Sequence, residues 1–564
     1  MDKPWLQHYD PGVPATLDYP EVPLYHFLEE SARRHPALPA TIFFDAWLTY
    51  SELDALANQI AHALIGMGVQ KGDRVALLLP NTPQFVASFY GILKAGGIVV
   101  ANNPLYTAKE LTYQLNDAGA ETIITLSKMY PTVRKILPDT RLKNVIVTNI
   151  KEYMPFVLRT LFTFLREKKD GHRVELAAGH HWFQDWIQGQ PTSAPEVEVG
   201  PDDVAIFQYT GGTTGVSKGA VAQHRALVAD TLQIDAWVPD RREGEETYLG
   251  VIPFFHVYGM VACMSVAIYQ AARLVLLPQF NVDDVLKAID KYKPTFFPGV
   301  PAMYVAINNH PEIDKYDLRS IRACISGAAP LPVEVKKRFE ELTGGKLCEG
   351  YGLSEAPTAT HCNPIYGVNK PGSIGLPLPT VECKIEDLET GEALPPGKAG
   401  ELCIRGPQLM QGYLNRPEET AETLKDGWLH TGDIAYMDED GYFFIVDRKK
   451  DMIISGGYNV YPREVEEVLY QHPAVQEAAV AGVPHEYYGE MVKAYVVLKE
   501  GASATEEEII QFCKENLASY KAPKQVEFRD SLPKTLVGKV LRRVLVEEER
   551  KQLAAGEQSS PVGG

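Results

Sequence analysis

Residues 209–220 read YTGGTTGVSKGA and follow a short apolar run, Val204 to Phe207. Glycine lacks Cβ and tolerates positive φ, so a loop rich in it can bring backbone N–H groups close to an anion. Gly211, Gly212 and Gly215 free the backbone here, Thr210, Thr213 and Thr214 add hydroxyl donors, and Lys218 adds a mobile positive charge. Phosphate binding is the chemistry this mixture serves. The order is not that of the common P-loop, because Val216 and Ser217 separate Gly215 from the lysine. An ordinary flexible loop is the competing reading, and the lysine and the preceding strand weigh against it.

A second pair of residues points the same way. Asp440-Gly441 lies between two strand-like runs and signals a hairpin. Counting outward from a two-residue turn sets Asp433 opposite Arg448. A carboxylate beside a guanidinium can accept from a ribose diol and pair with a phosphate oxygen, although a structural ion pair is the plainer alternative. His256 in PFFHVYG and Lys539 after Gly538 stand alone in their surroundings. Taken singly, they read as a core histidine and a surface lysine.

The elements that must position these groups alternate between helix and buried strand. Ser51 is the expected N-cap of a helix with apolar residues at Leu53, Leu56, Ala57, Ile60 and Leu64, ended by Gly66 and Gly68. A strand at 73–79, a helix at 82–94 and a strand at 98–101 follow, and the rhythm returns at 121–149 and 204–330. That alternation predicts an α/β fold with mostly parallel sheets. After about 380 short strands and turns predict a β-rich subdomain, and from Asp451 a compact α+β unit. The expected division is a large domain over 1–449 and a small mobile domain over 450–564, joined at Asp447 to Asp451. The tail from about 551 is expected to be disordered. Residues 151–173 carry Met154, Leu158, Leu161 and Leu165 at helical spacing among Lys151, Arg159, Arg166, Lys168, Lys169 and Arg173. Such a stretch suits contact with an anionic membrane surface or docking on its own domain, and docking is the favoured expectation.

Composition bounds the partners. The 564 residues exceed a single core and predict at least two domains. Net charge is −18, from 55 basic and 73 acidic residues, which argues against general nucleic-acid binding. Seven scattered cysteines without a CxxC pair suggest neither a disulfide framework nor a zinc cluster and suit a reducing, cytoplasmic setting. No secretory leader is visible at the N-terminus. Thr247 to Ala272 lacks charge, but Pro253, His256, Gly259 and Gln270 interrupt it, so it reads as strand, turn and buried helix rather than a membrane span.

Eight segments in order resemble the signature of acyl-adenylate-forming enzymes: YTGGTTGVSKG (209–219), IPFFHVYG (252–259), SGAAPLP (326–332), EGYGLSE (349–355), GELCIRGPQLMQGYLN (400–415), HTGD (430–433), VDRKKDMIISGGYNVYP (446–462) and LPKTLVGKVLRR (532–543). Within that superfamily the chain is most similar to bacterial long-chain fatty acid–CoA ligases. The resemblance implies that Tyr351 stacks on adenine within the Glu349-Gly350-Tyr351-Gly352 segment, with Gly327, Ala328 and Ala329 forming the opposite wall. It implies that Glu355 and Thr210 hold Mg²⁺, that Ser354 keeps a hydroxyl where threonine is common, and that Asp433 and Arg448 hold the ribose. His256 would line the passage between acyl and CoA pockets. Lys539 would stabilise charge during adenylation, Lys450 would be the hinge, and Gly456 and Gly457 would accompany the pantetheine tunnel.

The implied reaction joins a fatty carboxylate to AMP with release of pyrophosphate, then transfers the acyl group to CoA. Residues 248–263 and 299–304 are expected to line the acyl pocket, without a tryptophan at 257–260. A medium-chain or aryl-acid (4-coumarate-type) ligase is the near alternative. A non-catalytic acyl-binding or uptake protein is an alternative of another class, and a luciferase-like oxidase shares the adenylation motifs. Expected partners are fatty acid, ATP and CoA, with membrane contact through 151–173 and a homodimer left open.

Overall fold

The computed structural model describes residues 3–210, 217–448, 451–455, 458–485, 489–535 and 540–558. The chain divides into two compact units, one built from residues 3–210, 217–382 and 405–429, the other from 383–404 and 430–558.

An eight-stranded sheet organises the first unit. Its order is Gly412–Tyr413, Gly219–Gln223, Val204–Tyr209, Ile98–Ala101, Arg74–Leu78, Thr122–Leu126, Asn144–Thr148 and His181–Trp182. From Val204–Tyr209 to His181–Trp182 the neighbours run parallel, as the alternating pattern predicts. Near-continuous apolar strands are the consequence of helices covering both faces. The helix Tyr50–Gly66 buries Leu53, Leu56, Ala57, Ile60 and Leu64. Its N-cap is Thr49 rather than Ser51. Thr49 Oγ1 accepts from the Glu52 amide, and the Glu52 carboxylate accepts from the Thr49 amide, a reciprocal pairing that Ser51 lacks a Glu three residues on to form. Thr82 caps the helix Pro83–Lys94.

Two four-stranded sheets complete this unit. One runs Thr247–Gly250, Arg273–Leu276, Pro39–Phe43, Ala46–Thr49; the other runs Ala323–Ser326, Lys346–Leu353, Ala356–Cys362, Leu376–Pro377. The uncharged stretch after Thr247 forms a strand, a turn and a buried π-helical segment, Tyr258–Ser265, as expected. Among the described residues no helix is long and apolar enough to cross a membrane.

The helix expected within 151–173 forms over Phe156–Leu165, but its orientation overturns the docking expectation. Phe156, Val157, Leu158, Leu161, Phe164 and Leu165 are all exposed, Phe164 at 82%. The helix meets its own unit through the other side. Lys151 Nζ donates to Thr163 at 3.1 Å, and the Phe162 ring lies 5.6 Å from that of His172. Polar anchors at Thr163 and Lys151 therefore turn the apolar stripe outward.

In the second unit Glu382–Glu386, Gly400–Arg405 and Trp428–Met437 are neighbours in one sheet, and Phe443–Arg448 pairs with the last. A further sheet runs Tyr458–Val460, Ile453–Ser455, Gly489–Leu498, Val475–His485, with Gln525–Phe528 beside Gly489–Leu498. Helices Pro462–Gln471 and Glu506–Asn516 supply Val465, Val468, Leu469, Ile509 and Cys513 to its core. The last helix, Arg542–Gln558, runs into the stretch expected to be disordered, where Leu553, Ala554 and Ala555 favour helix.

Candidate active site

The phosphate-type loop proves to be a hairpin connection. Val204–Tyr209 and Gly219–Gln223 pair antiparallel, closing at Tyr209↔Gly219. The Thr210 amide donates to the Lys218 carbonyl at 2.9 Å, and Ser217 Oγ donates to the Thr210 carbonyl. The base is braced from outside: Tyr209 Oη donates to Asp117 at 2.8 Å and Tyr113 Oη to the Ser217 carbonyl at 3.0 Å. Thr210 and Lys218 thus sit at a hydrogen-bonded base, while Gly211, Gly212, Thr213, Thr214 and Gly215 lie outside the described residues.

Glu355 reaches the same place from another sheet. Lys346–Leu353 and Ala356–Cys362 form a hairpin whose Leu353↔Ala356 pair leaves Ser354 and Glu355 as the two-residue tip. The Glu355 carbonyl accepts from Met410, and its Oε1 accepts from Tyr413 Oη at 2.7 Å. Tyr413 in turn pairs with Ala220, just beyond the loop base. Lys218 Nζ lies 5.2 Å from the Tyr413 ring centroid and 3.9 Å from Glu419. Burial first, then the Glu355 carboxylate, pushes the Tyr413 phenol well up, so it stays a donor. Tyr413 is a site residue that spacing alone missed. Its signal was there: it sits inside the GYLN end of the fifth matching segment.

The residues expected to form the base pocket come together by strand register. Ala323–Ser326 runs parallel to Lys346–Leu353 with Ser326 opposite Glu349, so Gly327, Ala328 and Ala329 leave one strand end beside Gly350, Tyr351 and Gly352 on its neighbour. Glycine is required at Gly352, where a Cβ would meet the Thr358 carbonyl oxygen at 1.5 Å. Ala328 holds φ at 68°, a left-handed conformation that costs an alanine about 1 kcal/mol. The Tyr351 ring packs edge-on to His361 at 5.9 Å, and burial keeps that imidazole neutral, its pKa lowered to about 3.

His256 belongs to the turn after Pro253, its amide donating to the Pro253 carbonyl at 3.1 Å. Gln208 ties this turn to the phosphate-type loop, its side-chain amide reaching the carbonyls of Tyr209 and Phe255 at 3.4 and 3.3 Å. The expected acyl segments also meet. Tyr258 Oη donates toward the carbonyls of Ile325 at 2.5 Å and Gly299 at 3.2 Å, while its ring stands 3.1 Å from the place a Cβ on Gly327 would take.

In the second unit Asp433 and Arg448 are register partners, as counted from the sequence. The route differs. The turn is one residue longer than two, since the Asp438 amide bonds the Tyr442 carbonyl and Met437 pairs with Phe443. A bulge between Ile434 and Ala435 leaves Val446 without an opposite residue and restores the pairing. Asp433 is 3% exposed and its amide donates to Thr431 Oγ1 at 3.1 Å. Lys450, Gly456, Gly457 and Lys539 lie outside the described residues. None of the seven cysteines forms a disulfide, and all are buried. Burial alone holds the Cys513 thiol up at about 11, and burial first holds Cys348 at about 12, which suits a reaction needing no protein thiolate.

Residues 28–414 match the AMP-binding enzyme family and residues 464–539 its C-terminal domain. The chain is 50% identical to a long-chain-fatty-acid–CoA ligase of Bacillus subtilis over 97% of this chain and 98% of that one. It is 40% identical to a long-chain-fatty-acid–CoA ligase of Escherichia coli over 98% and 99%. Among solved structures it resembles ATP-bound MatB from Rhodopseudomonas palustris, with a TM-score of 0.83 and 30% identity over 94% of this chain and 99% of that chain. The chain belongs to the AMP-binding, acyl-adenylate-forming enzyme family.

Proposed function

We propose that this enzyme is an ATP-dependent ligase that converts a long-chain fatty acid to acyl-AMP and then to acyl-CoA, releasing pyrophosphate and AMP. The observation that carries the reading is the Glu355–Tyr413 contact on a strand paired to the base of the glycine-rich loop. It sets an oriented carboxylate beside a phosphate-type loop, and the full-length relatives named for this reaction support the acyl substrate.

Each residue then has a task. Lys218 and the loop amides receive the β- and γ-phosphates, and Tyr351 stacks on adenine against Gly327, Ala328 and Ala329. Glu355 Oε2 and the Thr210 hydroxyl are hard oxygen donors suited to Mg²⁺, which when bound neutralises phosphate charge. Asp433 accepts from the ribose diol, and Arg448 beside it donates to a phosphate oxygen. The fatty carboxylate attacks the α-phosphorus, Lys539 stabilising the charge that develops, and pyrophosphate leaves. A small domain beginning at 450 then rotates about Lys450, withdrawing Lys539 and bringing Gly456 and Gly457 to the thioester tunnel. The CoA thiol attacks the acyl carbonyl past His256, and AMP departs. AMP release with octanoate, palmitate, oleate and coumarate, with and without CoA, tests this. Turnover that peaks with palmitate or oleate and requires CoA supports it; a preference for coumarate overturns the substrate.

The same substrate gives the outward helix Phe156–Leu165 a purpose. Its exposed Val157, Leu161, Phe164 and Leu165, beside Arg159, Lys168 and Lys169, suit shallow insertion into an anionic bilayer that holds free fatty acid. Flotation with vesicles containing phosphatidylglycerol should carry the protein upward, and Leu161→Glu/Phe164→Glu should leave it at the bottom. Equal flotation of both proteins removes membrane contact from the function.

A further inference from the structure

A cluster in the second unit has no part in the chemistry above. Glu386, Cys403 and His430 come from three neighbouring strands, and Glu401 shares a strand face with Cys403, two residues away. Cys403 Sγ lies 3.2 Å from Glu386 Oε2 and 3.5 Å from His430 Nδ1. His430 Nδ1 is 3.4 Å from Glu386 Oε2 and 3.7 Å from Glu401 Oε2. Cys403 is fully buried, and the other three side chains are only 12–14% exposed.

These separations carry information. A tetrahedral zinc ion bonded to nitrogen and oxygen at about 2.0 Å and to sulfur at about 2.3 Å holds its ligand atoms roughly 3.3–3.5 Å apart. The three separations among Glu386 Oε2, Cys403 Sγ and His430 Nδ1, at 3.2, 3.5 and 3.4 Å, follow that spacing. A charge-assisted bond between imidazole and carboxylate would instead close to about 2.7–2.9 Å, and Nδ1 stands beyond that from both carboxylates. The supports are those a metal site requires. Glu401 Oε1 is held by the Gly432 amide at 3.0 Å, and Glu386 Oε1 by Lys384 at 2.8 Å.

We propose that Glu386, Cys403 and His430 form a Zn²⁺ site that staples three neighbouring strands of the second unit. A thiolate with imidazole favours zinc over the hard Mg²⁺ of the nucleotide. An ordinary cysteine thiol is protonated at neutral pH and enters the site in that form. Binding breaks its S–H bond, forms a Zn–S bond and releases the proton to solvent, while the thiolate and the Glu386 carboxylate balance the two charges of the ion.

The test uses tag-free, full-length protein stripped with a chelator and titrated with ZnCl₂ by calorimetry in two buffers of different ionisation heat. One ion per chain, about one proton released per ion and a raised melting temperature are expected. Co²⁺ should give thiolate-to-cobalt charge-transfer absorption. Cys403→Ser should abolish that band, and Glu386→Gln, which keeps the shape, should weaken zinc at least about tenfold; circular dichroism checks that both fold. Absence of saturable one-to-one binding, a cobalt spectrum without the thiolate band, or zinc affinity unchanged in both folded variants overturns the site.

Discussion

Tyr413 Oη donates to Glu355 Oε1 at 2.7 Å, across fifty-eight positions of sequence, and so fixes which carboxylate oxygen remains for a cation. The hydrogen bond is to a charged group, which is worth about 1.5–3 kcal/mol. Tyr413→Phe keeps the ring under Lys218 and removes only the donor. Pyrophosphate exchange should fall by about 10–100-fold, with more Mg²⁺ needed for half-maximal rate. Exchange and Mg²⁺ dependence matching the wild type would mean that Glu355 needs no such orientation.

Lys539 is assigned to the first half-reaction alone. Lys539→Ala should slow adenylation by roughly 10²–10³ while leaving thioester formation from supplied acyl-AMP near its normal rate. Equal losses in both half-reactions contradict the assignment.

Asp230 makes a prediction about stability and pH. It is fully buried and accepts from the amides of Thr358 and Ala359, the stretch of strand that meets Gly352. Burial raises its pKa from 3.8 to about 8 despite those two donors. Between those values the folded protein keeps a proton that the unfolded chain releases. Stability from this group is therefore complete below about pH 4, declines as pH rises and is gone above about pH 8, with a slope approaching 1.4 kcal/mol per unit. Urea midpoints of Asp230→Asn should show a flatter dependence from pH 5 to 8.5. A variant curve parallel to the wild type would show that Asp230 is ionised in the fold.

Lys94 is buried beneath the helix pair that opens the chain. Its Nζ meets Asp54 at 2.6 Å, Asn58 at 2.7 Å and Glu29 at 3.0 Å. The carboxylates left behind, Asp54 and Glu29, are partly exposed, so Lys94→Ala should cost about 1.5–3 kcal/mol in urea unfolding, the worth of hydrogen bonds to charged groups. Lys94→Met together with Asp54→Asn should recover part of that loss. A single-variant cost near zero would show that the group is solvated.

Local pattern determined much of this protein. Apolar periodicity found Tyr50–Gly66 and the parallel strands, and counting from a hairpin paired Asp433 with Arg448. These features are written in consecutive residues, where side-chain period and backbone freedom act directly. The cap at Thr49 and the bulge at Val446 were not legible, because each depends on which hydrogen-bond partners the finished backbone offers. Tertiary structure alone decided the long-range meetings: Tyr413 with Glu355, Tyr258 with the wall at Gly327, and Cys403 with Glu386 and His430. It also decided that the Phe156–Leu165 stripe faces outward. Periodicity shows that a helix has an apolar side, but polar anchors such as Lys151 on Thr163 determine which side the rest of the chain covers.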